Sequence, residues 1–151
     1  MSSIPDRLYI EESDRELYKK IEEAIDLFAK KTRKEQFIFA MAYGFSNKTR
    51  IPLKKKNDLF LAKDLKAEDE AIVNAIAICE KGSLEIITDK NFTYSIAEEY
   101  AHAGIRLLYE KIESIEFGSF WKDFEKDLFE SFNNINFDSQ IRYEQNSTSR
   151  A

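Results

Sequence analysis

The stretch that decides the fold runs from Phe37 to Lys56 and reads FIFAMAYGFSNKTRIPLKKK. Its first half carries apolar residues at helical spacing, and its second half is a loop that contains no acidic residue. Within a few residues the chain therefore changes from an apolar helical pattern to a basic loop. We expect one amphipathic helix to lead into this stretch and further helices to cover its apolar face.

Capping residues mark two helices at the N-terminal side. Ser13 followed by Glu16 is a capping box for a first helix, and Thr32 followed by Glu35 repeats the pattern for a second one. Gly44 is suited to end the second helix, because glycine adopts the left-handed conformation without steric cost. The apolar stripe of the first helix is Leu17, Ile21, Ala24, Ile25 and Phe28.

A third helix is predicted from Asp64 to Lys81, with Gly82 as its stop. Its apolar surface is broad, so we expect a central and largely buried helix. The residues predicted to face inward are Ala71, Ile72, Ala75, Ile76 and Cys79, with Val73, Ala77 and Ile78 widening the surface.

A long fourth helix begins at Asp89 or Thr93 and reaches about Glu116. Its Ala97, Ala101 and Gly104 form a patch of small residues where another backbone can approach closely, which leaves a homodimer open. Ser119 can cap a last helix that either closes the core or presents a partner-binding face. Its apolar residues are Phe120, Trp121, Phe124, Leu128 and Phe132.

Two segments outside the helices are predicted to be extended. The N-terminal segment reads as a lead-in held by Leu8 and Ile10. A short β-hairpin near residues 50–62 remains open, in which Ile51–Leu53 would pair with Leu59–Leu61.

Composition agrees with a mainly α fold, a compact bundle of about five helices. The 151 residues are 43% hydrophobic, enough for one core, and 4 Gly and 2 Pro are too few for a strand-rich sandwich or barrel. We expect a single helical domain over residues 1–132 and a polar tail over 133–151. No apolar run could cross a bilayer and no signal-peptide core is present, so we expect a cytoplasmic protein without a membrane partner.

Basic residues are concentrated between positions 30 and 56, where nine bases stand against one acid, while the whole chain carries a net charge of -5. Bases that neutralise phosphates release counterions, so this segment is a candidate contact for duplex DNA. The alternative is a solvated loop balanced by the acidic remainder of the chain. The candidate contacts are Lys48, Arg50, Lys54, Lys55 and Lys56, with Lys30, Lys31, Arg33 and Lys34 as a second cluster.

Transition-metal chemistry is suggested by Glu99 and His102, which have the Glu-x-x-His spacing of di-iron bundles, with Glu98 four residues before the histidine. That chemistry needs two such motifs, and this chain has one histidine. Helical geometry also rotates His102 about 100° from Ala101, toward solvent or a partner. We predict no metal site and no cofactor.

No catalytic residue is predicted either. Cys79 is the only cysteine and lies among apolar residues without a nearby base, so we expect a buried thiol that packs as a small hydrophobe. The acids Glu68, Asp69 and Glu70 occupy a first helical turn, where they suit the positive end of the helix dipole.

The spacing of several aromatic, glycine and proline residues resembles the pattern of a known protein family, the small proteins associated with DNA phosphorothioation (sulfur-modification) systems. The resemblance covers about Arg7 to Ile112 and does not include Gly118–Ala151. The residues that carry it are Phe37, Ala40, Tyr43-Gly44-Phe45, Arg50-Ile51-Pro52-Leu53, Cys79-Glu80-Lys81-Gly82, Glu98-Glu99-Tyr100-Ala101, Gly104 and Leu108.

The resemblance implies an accessory protein of prokaryotic DNA modification, restriction or phage defence, with no catalytic set to transfer. Our leading hypothesis is a non-enzymatic protein that contacts DNA phosphates or docks to a larger component of such a system. The alternative is a homo-oligomeric or antitoxin-like interaction module without DNA contact.

Overall fold

A computed structural model describes residues 4–114, 122–123 and 126–127 of the chain. By internal contacts the chain separates into two compact units, residues 1–112 and 113–151. The predicted last helix with Trp121, and the predicted tail over 133–151, lie outside the described residues, apart from short helical pieces at 122–123 and 126–127.

Within residues 4–114 the fold is mainly α, with five α-helices and one two-stranded antiparallel sheet, which confirms the predicted class. The strands are β1 (Arg7–Glu11) and β2 (Lys56–Leu61). The helices are α1 (Asp14–Ala24), α2 (Asp26–Ala29), α3 (Arg33–Ser46), α4 (Ala67–Lys81) and α5 (Lys90–Ser114). Short 3-10 helices cover Ala62–Asp64 and Leu84–Thr88.

The second strand lies where a hairpin was predicted, but its partner is different. β2 pairs with β1 in a register that sets Leu8 opposite Phe60. Leu8 and Ile10 are buried at alternate positions of β1, as a half-buried strand requires. The predicted pairing of Ile51–Leu53 is wrong, because the Ile51 amide donates to the Glu99 carbonyl oxygen (3.2 Å) along α5.

The two predicted capping boxes differ in outcome. At the start of α3 the Glu35 amide donates to the Thr32 hydroxyl (3.2 Å), and the Thr32 amide donates to the Glu35 carboxylate (3.3 Å), so this box is confirmed. Ser13 makes no side-chain cap and instead accepts from the Arg106 guanidinium. The first helix also stops early, since Ile25 is extended and separates α1 from α2.

Gly44 does not end its helix, which continues to Ser46. A Cβ at Gly44 would overlap the Tyr100 carbonyl oxygen, and a Cβ at Gly104 would overlap the Ala40 carbonyl oxygen. The backbones of α3 and α5 are therefore in direct contact at a crossing that two glycines make possible. Gly82 does end α4, in the left-handed conformation with φ 72°.

The central helix is α5 and not α4. Between Thr93 and Leu108 buried residues of α5 lie around most of its circumference. On α4 the buried residues are Val73, Ile76 and Ala77. The residues predicted to face inward are largely at the surface, because Ala71, Ile72, Ala75 and Cys79 are exposed.

Candidate nucleic-acid interface and the polar face of the central helix

The first basic cluster surrounds the start of α3. Lys30, Lys31 and Arg33 are exposed and form no ion pair with any described residue. Lys34 differs, because its ammonium lies 2.7 Å from the Asp69 carboxylate of α4. Hydrogen bonding to Lys34 holds the pKa of Asp69 below its usual value, and the Lys66 amide adds to the effect. Three of the four bases thus form no ion pair within the described residues, and we call such exposed bases available.

The second cluster belongs to the loop between α3 and β2, which Glu11 anchors. The Glu11 carboxylate accepts from the backbone amides of Lys54 (2.7 Å) and Lys55 (3.1 Å). The Lys55 ammonium pairs with Glu12 (2.8 Å) at the surface. Lys48 and Lys54 keep exposed side chains that are outside any ion pair among the described residues.

Two further bases, Arg50 in this loop and Lys56 at the start of β2, are held against α5. Arg50 lies 3.4 Å from Glu99 and 3.8 Å from Glu80. The Lys56 ammonium lies 3.5 Å from the Glu98 carboxylate. Four of the nine predicted contacts are therefore paired with acids of the same chain, which fits the alternative that the loop is balanced internally. Within the described part of the chain no acid pairs with the other five, which are Lys30, Lys31, Arg33, Lys48 and Lys54.

Four of the five remaining bases flank α3, and the fifth, Lys54, lies in the following loop beside Glu11. Lys30, Lys31 and Arg33 are at its N-terminal end, and Lys48 follows its C-terminal end with Lys54 further along the loop. A helix of 14 residues is about 20 Å long. The available charge thus forms two groups separated by the length of one helix.

Beside the loop, α5 presents a polar face that the sequence did not predict as internal. Glu98, His102 and Arg106 are spaced by four residues and lie against β1 and the start of α1. Glu98 and His102 are buried, whereas Arg106 is exposed. The Glu98 carboxylate accepts from the Tyr9 amide (2.7 Å). Burial raises the pKa of Glu98 to about 7, although Lys56 and the Tyr9 amide act in the opposite direction.

His102 is buried, with 5% of its surface exposed, so its predicted position toward solvent is wrong. Its Nδ1 lies 2.5 Å from the carboxylate of Asp14, and the Arg106 Nε lies 3.4 Å from the same carboxylate. Asp14 was not predicted to matter. One feature of the sequence could have indicated an internal partner for His102: polar side chains recur every four residues on an otherwise apolar helix. Polar groups that are buried on such a helix require partners within the protein.

A metal centre finds no support in the described part of the chain, where no group of three or more His, Cys, Asp or Glu side chains is placed to hold an ion. Glu98 and His102 bond to different partners, as given above. Cys79 is exposed, so the predicted buried thiol is wrong. The acids at the start of α4 act structurally: Asp69 pairs with Lys34, and Glu70 pairs with Lys90 (3.1 Å).

An open pocket of about 540 Å³ lies beside Glu98 at the start of β1. Four of its polar side chains, Arg7, Lys56, Tyr94 and Glu98, already bond to one another or to nearby side chains. Arg7 pairs with Asp58 (3.3 Å), and Lys56 pairs with Glu98. The Tyr94 hydroxyl donates to Glu70 (2.6 Å). We assign no ligand to it.

The small-residue patch on α5 is used within the chain. Gly104 is in contact with α3, and Ala97 and Ala101 are each 1% exposed. This patch is therefore closed to a second copy and gives no support to a homodimer. Among the described residues no helix is both long enough and apolar enough to cross a membrane.

Fold and site together define a small, mainly helical protein with two groups of available bases at the ends of one helix. The chain belongs to the family of DNA sulphur modification system-associated protein 4, whose model matches residues 7–134. The match confirms the resemblance and extends it beyond Ile112, so residues 118–134 are part of the family pattern after all. No curated protein and no solved structure matches the chain.

Proposed function

We propose that this protein is an accessory component of a DNA sulphur modification system that contacts DNA through phosphates. Membership of the family supports the association with such a system. The observation that carries DNA contact is a set of five exposed bases, at and after the ends of α3, that form no ion pair with any residue the structure describes. Lys and Arg bind phosphates mainly by displacing condensed counterions, which requires side chains that are not already neutralised.

The paired bases have a different role in this proposal. Arg50, Lys55 and Lys56 attach the loop to Glu99, Glu12 and Glu98. They fix the path of the loop between α3 and β2. Lys48 and Lys54 extend from the same loop and make the contacts.

The test compares two double variants of this loop with the same change of charge. Lys48→Gln with Lys54→Gln removes two available bases, and Arg50→Gln with Lys55→Gln removes two that are exposed but paired. We expect the first to weaken duplex binding about tenfold at low salt. The second should change it by less than about threefold, because the charges of Arg50 and Lys55 are already offset by Glu99 and Glu12.

Fluorescence anisotropy with a labelled duplex measures both affinities, and thermal unfolding confirms that both variants are folded. Equal effects of the two variants would mean that net charge alone governs binding. Absence of binding by the unaltered protein at low ionic strength would refute DNA contact.

Docking to a larger component of the system is a second candidate, favoured by the exposed apolar side chains of α4 and the 3-10 helix after it. Ile72 is 43% exposed and Leu84 is 71% exposed. Exposed apolar side chains are one feature of protein interaction sites. Ile72→Glu should then abolish co-elution with a purified component of the same system, and Lys48→Gln should leave it unchanged.

A further inference from the structure

Among the paired bases, Lys56 differs from the others because its partner is a buried acid. Its ammonium lies 3.5 Å from the Glu98 carboxylate, and Glu98 is the acid that pairs with it within the described part of the chain. The Lys56 side chain itself is 52% exposed. The protonation state of one buried group therefore sets the charge balance of a base that already reaches the solvent.

The carboxylate form of Glu98 is poorly stabilised. Burial removes its water of hydration, and the Tyr9 amide (2.7 Å) and the Lys56 ammonium are its bonding partners among the described residues. These two contacts do not replace the lost hydration, so burial raises the pKa of Glu98 to about 7. Glu98 also lines the open pocket at the start of β1, through which it can exchange its proton with solvent.

Titratable and charged side chains surround Glu98 from both strands and from its own helix. They are Asp6, Arg7 and Tyr9 at the start of β1, Lys56 on β2, and Tyr94, Glu99 and His102 on α5. Those with partners elsewhere in the chain, as given above, are Arg7, Tyr94, Glu99 and His102. Lys56 is the described cation that pairs with Glu98 itself.

Lys56 lies close to an available base of the loop. It follows Lys54 by two residues, so their Cα atoms are at most about 7 Å apart. The Lys56 ammonium also lies 5.6 Å from the centre of the Tyr9 ring. A proton on Glu98 removes the negative charge but leaves the ring and the path of the loop in place. The ammonium then stays near Lys54 without an acid to offset it.

We infer that Glu98 regulates the DNA contact proposed above: its carboxylate form withholds Lys56 from phosphates, and its protonated form makes Lys56 a sixth available base. The inference rests on the proposed function. Because the protonated form binds more tightly, affinity should fall as pH rises through about 7. By linkage, binding of DNA should favour uptake of a proton by Glu98.

The test measures the affinity for a labelled duplex at pH 6 and at pH 8, at constant ionic strength, by fluorescence anisotropy. We expect binding by the unaltered protein to be about threefold tighter at pH 6, and the plot of log K against log salt to be steeper there by about one. Glu98→Gln should bind at both pH values as the unaltered protein does at pH 6.

Glu12→Gln is the matched control, because it also removes one acid and releases one base, Lys55, but keeps Glu98. It should bind more tightly at both pH values and retain the threefold dependence on pH. Lys56→Gln should bind at both pH values as the unaltered protein does at pH 8. This variant separates Glu98 from His102, since histidines titrate in the same pH range and His102 is retained.

Lys56 lies at the surface, so Lys56→Gln decides the question if Glu98→Gln fails to fold. The inference is overturned if either variant keeps the full dependence on pH. It is also overturned if the unaltered protein binds duplex equally well at pH 6 and pH 8, which leaves the proposed function standing. Failure to bind duplex at both pH values, even at low salt, would refute both.

Discussion

At the scale of single residues, Glu98 is the position where burial and charge conflict most. It is 3% exposed, and its carboxylate has one backbone donor, Tyr9, and one partly exposed cation, Lys56. Desolvation outweighs both and raises the pKa of Glu98 from 4.5 to about 7. The protonated form is thus favoured in the folded state over a wide pH range.

The sign of the resulting pH dependence follows from proton binding. Between pH 4.5 and 7 the folded state holds a proton on Glu98 that the unfolded state releases, so stability from this group falls as pH rises through about 7. The loss is about 3 kcal/mol in total. Glu98→Gln, which keeps an oxygen for the Tyr9 amide, should remove this dependence.

Urea unfolding at a series of pH values measures the effect as the difference between the two proteins. Glu12→Gln is the control, because Glu12 pairs with Lys55 at the surface and should leave the slope unchanged. A Glu98→Gln protein that kept the full pH dependence would contradict the assignment.

The burial of His102 and the exposure of Cys79 could not be predicted from the residues around them. The sequence placed Cys79 inside and His102 outside, and the reverse holds. Apolar neighbours could not reveal that α4 packs by only one side. A single histidine on a helix likewise could not reveal that Asp14, 88 residues earlier, bonds to it.

At the scale of elements, the crossing of α3 and α5 decides the arrangement of the helices. Gly44 and Gly104 lie where the two backbones meet, and no side chain fits between them. Pattern reasoning recognised Gly104 as a place of close approach but interpreted Gly44 as a helix stop. Glycine is common both at the ends of helices and where two helices are in close contact, and only the position of the partner helix distinguishes the two roles.

Gly44→Ala should therefore cost about 3 kcal/mol or more, since the added methyl group forces two backbones apart. Gly82→Ala is the control: its φ is 72° but nothing lies within 4 Å of an added Cβ. That change should cost only about 1–2 kcal/mol of backbone strain. Chemical denaturation compares the two, and equal losses would show that α3 and α5 can separate without penalty.

At the scale of the whole molecule, the net charge of -5 sets the background against which any DNA contact is made. Long-range attraction is weak or absent, so binding depends on the bases near α3. With five available bases, the plot of log K against log salt should have a slope no steeper than about -4.5 for duplex DNA.

A salt titration by fluorescence anisotropy measures this slope. A value near -8 would require all nine bases, and hence the opening of the pairs that hold Arg50 and Lys55 to acids. A value near zero would remove the electrostatic basis of the proposal. Lys48→Gln with Lys54→Gln should make the slope less steep by about two.

The sequence by itself determined the helical class, the start of α3, the stop at Gly82 and the family, because caps, helical periodicity and motif spacing are local properties. Only the tertiary structure decided that β1 pairs with β2, that α5 is central, and which bases of residues 30–56 remain available. Each of those outcomes depends on contacts between residues far apart in the chain, such as Lys56 with Glu98. Local sequence patterns do not predict contacts between residues so far apart.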